Sequence, residues 1–274
     1  MTYPLAWLNL TCLDAPLVSV VWLWLFAKVF HVTVSPANCA ALFLTAWLIY
    51  LADRLADSYS LPARGPLSLR HEFCLNHRQI WIGAFAVIAI ADGCLIWRGL
   101  GRETFVAGIV VGLLALLYLA LNHSLGGAWP GLPLKEPAIG LLFAAGTLVA
   151  LFPAFPPVSS LLFCAGIAFA ALCTLNCISI AFWERELDET QRKVSFATRH
   201  PGLERHLGKF SIALAVSCGL SAVVFRNTAP IFACASLRAL LLALLDFFRE
   251  RVGRDERTAL ADLVLLTPLL ALLV

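Results

Sequence analysis

Residues 36–57 read PANCAALFLTAWLIYLADRLAD. From Pro36 to Ala52 there is no charged side chain, and Asp53, Arg54 and Asp57 then come together. A run of this length crosses a hydrocarbon core of about 30 Å as a helix, because lipid leaves the backbone no partner but itself. The carboxylates stand at i and i+4, so they share one helix face about 6 Å apart, where the helix leaves the lipid. This one stretch predicts both a helical membrane architecture and a candidate site.

The rest of the chain repeats the pattern. Its 274 residues are 61% hydrophobic and 14% charged, with mean hydropathy +0.86, whereas a soluble domain carries about a quarter charged residues. Nine apolar runs are predicted as spans at 16–34, 36–56, 79–97, 103–121, 134–152, 158–183, 208–225, 229–248 and 257–274. They are separated by Pro- and Gly-rich breaks such as Pro62 to Pro66, Gly126 to Pro133 and Pro153 to Pro157. Residues 1–13 read as an interfacial segment, with Tyr3 and Trp7 suited to the headgroup level. Together 1–274 forms a single membrane domain with little chain left for a large soluble one.

A net charge of +3 with scattered basic residues argues against nucleic acid as a partner. The nine cysteines form no CxxC pair and sit mostly inside apolar runs, which argues against a zinc or disulfide framework. The first Lys or Arg is Lys28, so a cleavable secretory signal is not expected. Fifteen Lys and Arg fall on one side of the predicted topology, in 54–78, at 135, and in 185–209 and 249–257, against four on the other. The positive-inside rule puts the fifteen, the N-terminus and the acidic segments in the cytoplasm. The long connectors 57–78, 122–133 and 184–207 lie on that side too, so function carried on loops is expected there.

The sixth span ends much as the second does. Asn176, Ile180, Glu184 and Asp188 recur every four residues, as do Ile49, Asp53 and Asp57. Two acidic helix ends on one side of the membrane resemble two halves of a site for Mg²⁺ and a diphosphate, since four clustered carboxylates repel one another unless a cation joins them. The plain alternative is solvated charge where helices emerge. Asn176 is about two turns deeper, which favours either a cavity role or an interhelical hydrogen bond. Basic candidates for the diphosphate are Arg64, Arg70, His71 and Arg78, Lys135 at the head of the fifth span, and Arg192, Lys193, Arg199 and His200. An allylic diphosphate that ionises leaves a cation, which aromatic faces stabilise. Trp22, Trp24, Trp47, Phe143, Phe182 and Trp183 are candidates for that wall, or for packing.

These features, in this order, resemble the UbiA superfamily of intramembrane prenyltransferases over most of the first 190 residues. That family's first motif is NDxxDxxxD. Set on Ile49 to Asp57, the chain keeps its last two aspartates as Asp53 and Asp57 and replaces the leading Asn and Asp with Ile49 and Tyr50. Glu184 to Asp188 matches the DxxxD core of the second motif. Leu13-Asp14-Ala15-Pro16, Arg64-Gly65-Pro66-Leu67 and Lys135-Glu136 before Gly140 to Gly146 are softer matches.

The resemblance implies an all-α membrane protein of nine transmembrane helices around a central cavity that opens near the cytoplasmic face. It implies Mg²⁺ at Asp53, Asp57, Glu184 and Asp188, with Lys135 and Arg64 or Arg70 on the diphosphate of a polyprenyl donor. Asp14, Tyr50, Arg54, His71 and Asn176 would shape the cavity or orient an aromatic or lipid acceptor within the membrane. Tyr50 replaces a carboxylate ligand, so the number of metals stays open. Two other functions fit the same residues: a membrane terpene synthase, and a lipid-binding or transport protein without catalysis, for which Asp92 and Arg238 are the ionisable residues deepest in the spans.

Overall fold

The computed structural model describes residues 4–60, 67–124, 135–154, 160–191 and 194–272. These residues are helical throughout, joined by short turns. In chain order the helices are α1 (Pro4–Leu10), α2 (Asp14–Val29), α3 (Pro36–Ser60), α4 (Leu69–Asn76), α5 (Arg78–Gly99), α6 (Arg102–Ser124) and α7 (Lys135–Leu148). Then come α8 (Ser160–Trp183), α9 (Arg185–Thr190), α10 (Phe196–Arg199), α11 (Leu207–Val224), α12 (Ala229–Phe247) and α13 (Arg254–Val264). Short 3₁₀ segments follow α7 and α13 and precede α11 and α12.

Among the described residues, seven segments are long and apolar enough to cross a membrane: Pro36–Tyr59, Arg78–Gly99, Arg102–His123, Lys135–Pro153, Ser160–Trp183, Pro201–Val224 and Arg226–Phe247. The protein is therefore a multi-pass helical membrane protein. The first and ninth expected spans take a different form. α2 has 16 residues, and α13 has 11, with Arg254, Asp255, Glu256 and Arg257 in its opening turn. A helix that polar cannot face lipid, so α13 lays Thr258, Ala261 and Leu265 against the interior instead.

α2 and α8 form the centre of the bundle. Trp22 and Phe26 on α2 and Phe169 on α8 are fully buried, and Trp22 stacks on Phe169 with ring centroids 4.4 Å apart. The Trp22 indole N–H donates to the Leu265 carbonyl at 2.8 Å, fixing the end of α13 to α2. α5 and α6 lie outermost, presenting Ile80, Val87, Ile90, Leu113 and Leu116 to their surroundings. Such apolar faces suit lipid contact.

α7 packs closely along α8, and Gly140 makes this possible. A Cβ there would lie 2.2 Å from Thr174 Oγ1 and 2.7 Å from both the Ala170 carbonyl oxygen and the Thr174 nitrogen. Gly140→Ala is thus expected to cost about 1–3 kcal/mol through overpacking. Thr174→Ala in the same chain should recover only part, because two of the three contacts are backbone. Melting curves in detergent check this, and a Gly140→Ala protein as stable as wild type would contradict the close approach.

At the other end, Cys12 takes a left-handed backbone (φ 57°) between α1 and α2. This turn costs a non-glycine residue about 1 kcal/mol or more, and it folds α1 back so that Asn9 meets Asp14. Burial pushes the Cys12 thiol up to about 11, which leaves it unreactive at neutral pH.

Candidate functional site

The C-terminal end of α3 carries Asp53 and Asp57 on one face, as their spacing requires. Two histidines meet them. His123, in the last turn of α6, places Nε2 3.1 Å from Asp53 Oδ1 and Nδ1 4.0 Å from Asp57 Oδ1. His71 on α4 places Nε2 3.3 Å from Asp57 Oδ2. Its Nδ1 is 2.6 Å from Ser68 Oγ, an arrangement met when Nε2–H faces the aspartate and Nδ1 accepts the Ser68 hydroxyl. Arg54, one residue round the helix from Asp53, leaves this face. Its charge acts on Cys12 and Cys74, and its buried Nη1 has no hydrogen-bond partner among the described residues.

The acidic end of α8 is joined to this group through Arg70. The Arg70 guanidinium donates to Glu184 Oε2 at 2.5 Å, and Thr258 Oγ1 on α13 donates to Glu184 Oε1 at 3.3 Å, so both oxygens of Glu184 are engaged. Burial opposes the charge on Arg70, but Glu184, Asp262, Asp14 and Asp57 together outweigh it and hold the guanidinium above its ordinary range. One cation thus lies within the field of carboxylates from α2, α3, α13 and the α8–α9 junction. Asp188 stands one turn beyond Glu184, partly buried, its backbone N–H bonded to the Glu184 carbonyl at 2.9 Å. Lys135 opens α7, and its charge reaches His123 and Cys177. Its neighbour Glu136 is buried and accepts the Phe196 backbone N–H at 2.8 Å, tying the α9–α10 region to α7.

Inside these groups lies a polar cluster built from remote parts of the chain. Asn9 Nδ2 donates to Asp14 Oδ2 at 2.8 Å and to Asp262 Oδ2 at 3.2 Å. Asn176 Nδ2 donates to Asp262 Oδ1 at 3.0 Å, and Arg238 donates to Asn176 Oδ1 and to the Ala261 carbonyl. Asp262 is on α13, outside the spanning helices. Burial first, and the charge of Asp14 second, push its carboxyl up to about 7 against the pull of Asn176, Arg70 and Arg238.

The folded chain therefore binds this proton more tightly than the unfolded chain, whose carboxyls titrate near 4. That stabilisation is complete below about pH 4 and is lost as pH rises to about 7. The protein should melt at a lower temperature at pH 8 than at pH 5.5, and Asp262→Asn should narrow the difference. An unchanged difference in that variant would place the titration elsewhere.

Two cavities adjoin the site. The smaller, of about 30 Å³, is lined by Asp14, Asn176, Asp262, Tyr50 and Phe143 among others, and has room for a water molecule. The larger, of about 370 Å³, is mainly apolar and is lined by α3, α5, α6 and α7. Tyr50 and Phe143 line both, with ring centroids 6.4 Å apart in an edge-to-face contact. Tyr118 lines the larger cavity and lies within the field of Asp53 and Asp57. Trp22 is packed in the core instead, and Phe182 and Trp183 belong to a second packed cluster with Leu207 and Leu242.

Comparison with protein-family models, curated proteins and solved structures finds no match for this chain. The site is therefore read from its own geometry. Of the residues singled out in the sequence, Asp14, Tyr50, Asp57, Arg70, His71, Asn176 and Glu184 are linked by direct contact, shared field or shared cavity, as are Asp53 and Lys135 through His123. Arg64, Arg192, Lys193 and Tyr3 lie outside the described residues. Among the described residues no group of three or more His, Cys, Asp or Glu is arranged to hold a metal ion.

Sequence reasoning missed His123, Asn9 and Asp262. Each had a faint signal: a histidine ending an apolar run on the same predicted side as Asp53, and polar residues in otherwise apolar segments.

Proposed function

We propose that the chain is a divergent UbiA-like intramembrane prenyltransferase that transfers a polyprenyl group from its diphosphate to an aromatic or lipid acceptor. The observation that carries this reading is the position of Arg70 among carboxylates from four parts of the chain, two of which, Asp14 and Asp262, line the smaller cavity. A diphosphate needs cations at a polar mouth, and its prenyl chain needs an apolar hollow beneath. Seven helices among the described residues are long and apolar enough to span a membrane, against the nine that the resemblance implies, and the shorter α2 and α13 pack against them. The asymmetry of Lys and Arg turns the mouth to the cytoplasm.

Asp53 and Asp57 suit Mg²⁺, which is commonly held by one or two carboxylates with substrate phosphates completing its shell. Asp53 is half-exposed, and its Oδ2 has no partner among the described residues. Glu184 is committed to Arg70 and Thr258, so its part is to position Arg70, with Asp188 one turn closer to solvent. Bound there, Mg²⁺ would neutralise the diphosphate as it leaves.

The protein's own groups do the rest. Arg70, Lys135 and His123 bind the diphosphate, and the faces of Tyr50 and Phe143 stabilise the allylic cation formed when the C–O bond breaks. The Asp14–Asp262 pair takes the proton that the acceptor gives up when its new bond forms.

The test is purified protein with Mg²⁺ and labelled prenyl diphosphates of several lengths. Diphosphate release with alkylated acceptor, abolished in Asp53→Ala and Asp57→Ala, is expected. Release of a cyclised or deprotonated hydrocarbon would make the protein a terpene synthase, and binding without release would make it a lipid-binding protein.

A further inference from the structure

The wall of the larger cavity contains groups that a hydrocarbon occupant cannot satisfy. Along α3 the cavity runs from Tyr50 to Asn38, twelve residues or about 18 Å at 1.5 Å per residue. Most of its surface is Ala, Leu, Ile, Val and Phe. Within this apolar lining, Asp92 of α5 and Thr147 of α7 are 3% and 1% exposed. Thr45 donates to Asp92 Oδ2 at 2.7 Å. Asp92 Oδ1, Thr147 Oγ1 and Asn38 Oδ1 have no hydrogen-bond partner among the described residues.

Buried polar atoms are almost always paired, and more so in a membrane interior, where no bulk water can compensate. Asp92 is level with Thr45, eight residues or about 12 Å of helix rise from Asp53 at the mouth, and its unpaired oxygen has no structural task there, because Thr45 needs only the other oxygen. Its unmet demand is for a donor. An aliphatic or prenyl chain has none, whereas a hydroxyl donates to Asp92 and accepts from Thr147 or from water.

We propose that this cavity binds a long-chain lipophile carrying a hydroxyl group, recognised by Asp92 Oδ1 with Thr45 holding the carboxyl in place. The apolar lining takes the chain and Asp92 selects for the donor. Such selection is strong because a site built for a hydroxyl leaves its own polar atom unpaired when the hydroxyl is missing. The site requires neither magnesium nor diphosphate and stands whether or not the mouth performs prenyl transfer.

The experiment compares 1-dodecanol with its methyl ether, which keeps the chain and the oxygen and removes only the donor. Both are offered at equal mole fraction in micelles of the purified protein, and binding is read by equilibrium dialysis of the labelled compounds and by thermal shift. Roughly tenfold tighter binding of the alcohol is expected for wild type, falling to parity in Asp92→Leu and weakened in Thr45→Val. The wild-type comparison needs no variant, so it decides the matter even if Asp92→Leu does not fold. Equal binding of alcohol and ether, binding of neither, or a preference that survives Asp92→Leu would each overturn the proposal. The diphosphate-release assay, run without added alcohol, tests the transferase reading separately.

Discussion

Replacing Arg238 with methionine should destabilise the protein by about 2–3 kcal/mol at pH 8, the order expected when hydrogen bonds from a charged group are lost. Arg238 is fully buried and ties α12 to Asn176 on α8 and to the Ala261 carbonyl on α13. It is also one of the cations that act on Asp262. Methionine fills similar volume and removes the desolvation cost of the guanidinium, so the outcome depends on what is left behind. Left behind are Asp14 and Asp262, joined by one amide and short of a positive neighbour. Losing Arg238 also pushes the Asp262 carboxyl further up, so protonation relieves part of the deficit, and more of it at pH 5.5 than at pH 8. Asp262→Asn in the Arg238→Met background should restore much of the loss. If the single variant melts with wild type at pH 8, Arg238 does not hold the cluster together.

The second large effect is expected at Arg70. Arg70→Met removes the cation that α2, α3, α13 and the α8–α9 junction share, and leaves Glu184 with only the Thr258 hydroxyl. Losing a hydrogen bond to a charged group costs about 2–3 kcal/mol, which is roughly 30- to 150-fold in Kd for a magnesium–diphosphate ligand bound there. Arg70→Lys should restore only part of this, because an ammonium keeps the charge without the planar fork. Binding is measured by titration of a non-hydrolysable prenyl diphosphate analogue into protein with Mg²⁺. Full affinity in Arg70→Met would remove Arg70 from the anion site.

What the sequence made legible was local. Apolar runs marked the helices, and the i, i+4 spacing placed Asp53 beside Asp57 before any coordinates did. The same spacing linked Asn176, Glu184 and Asp188 along one face, although a break at the α8–α9 junction hands Asp188 to a separate short helix. What remained hidden depends on distance along the chain. Asn9 and Asp262 are 253 residues apart, and Asn176 and Asp262 are 86, so no window of sequence contains the pair. Asp92 and Arg238 read as solitary charges for the same reason, and each has a partner on another helix, Thr45 and Asn176. The ninth run, 257–274, is not one long helix: α13 begins before it, at Arg254, and ends at Val264, and a short 3₁₀ segment follows from Thr267. The charge conflict that pointed to magnesium is also partly met within the chain, by Arg70, His71 and His123.

The attachment of α13 also bears on biogenesis. This helix leaves the ribosome after α1, α2, α8 and α12 have already been made, yet Asp262 and the Ala261 carbonyl are what Asn9, Asn176 and Arg238 hold. A nascent chain halted before α13 would keep an arginine, two amides and Asp14 unsatisfied in the middle of an inserted bundle, which is a state that quality-control proteases recognise. Emergence of α13 thereby acts as a checkpoint for assembly, and chains cut just before α13 should be cleared by the cell even though the seven spanning segments described above are present.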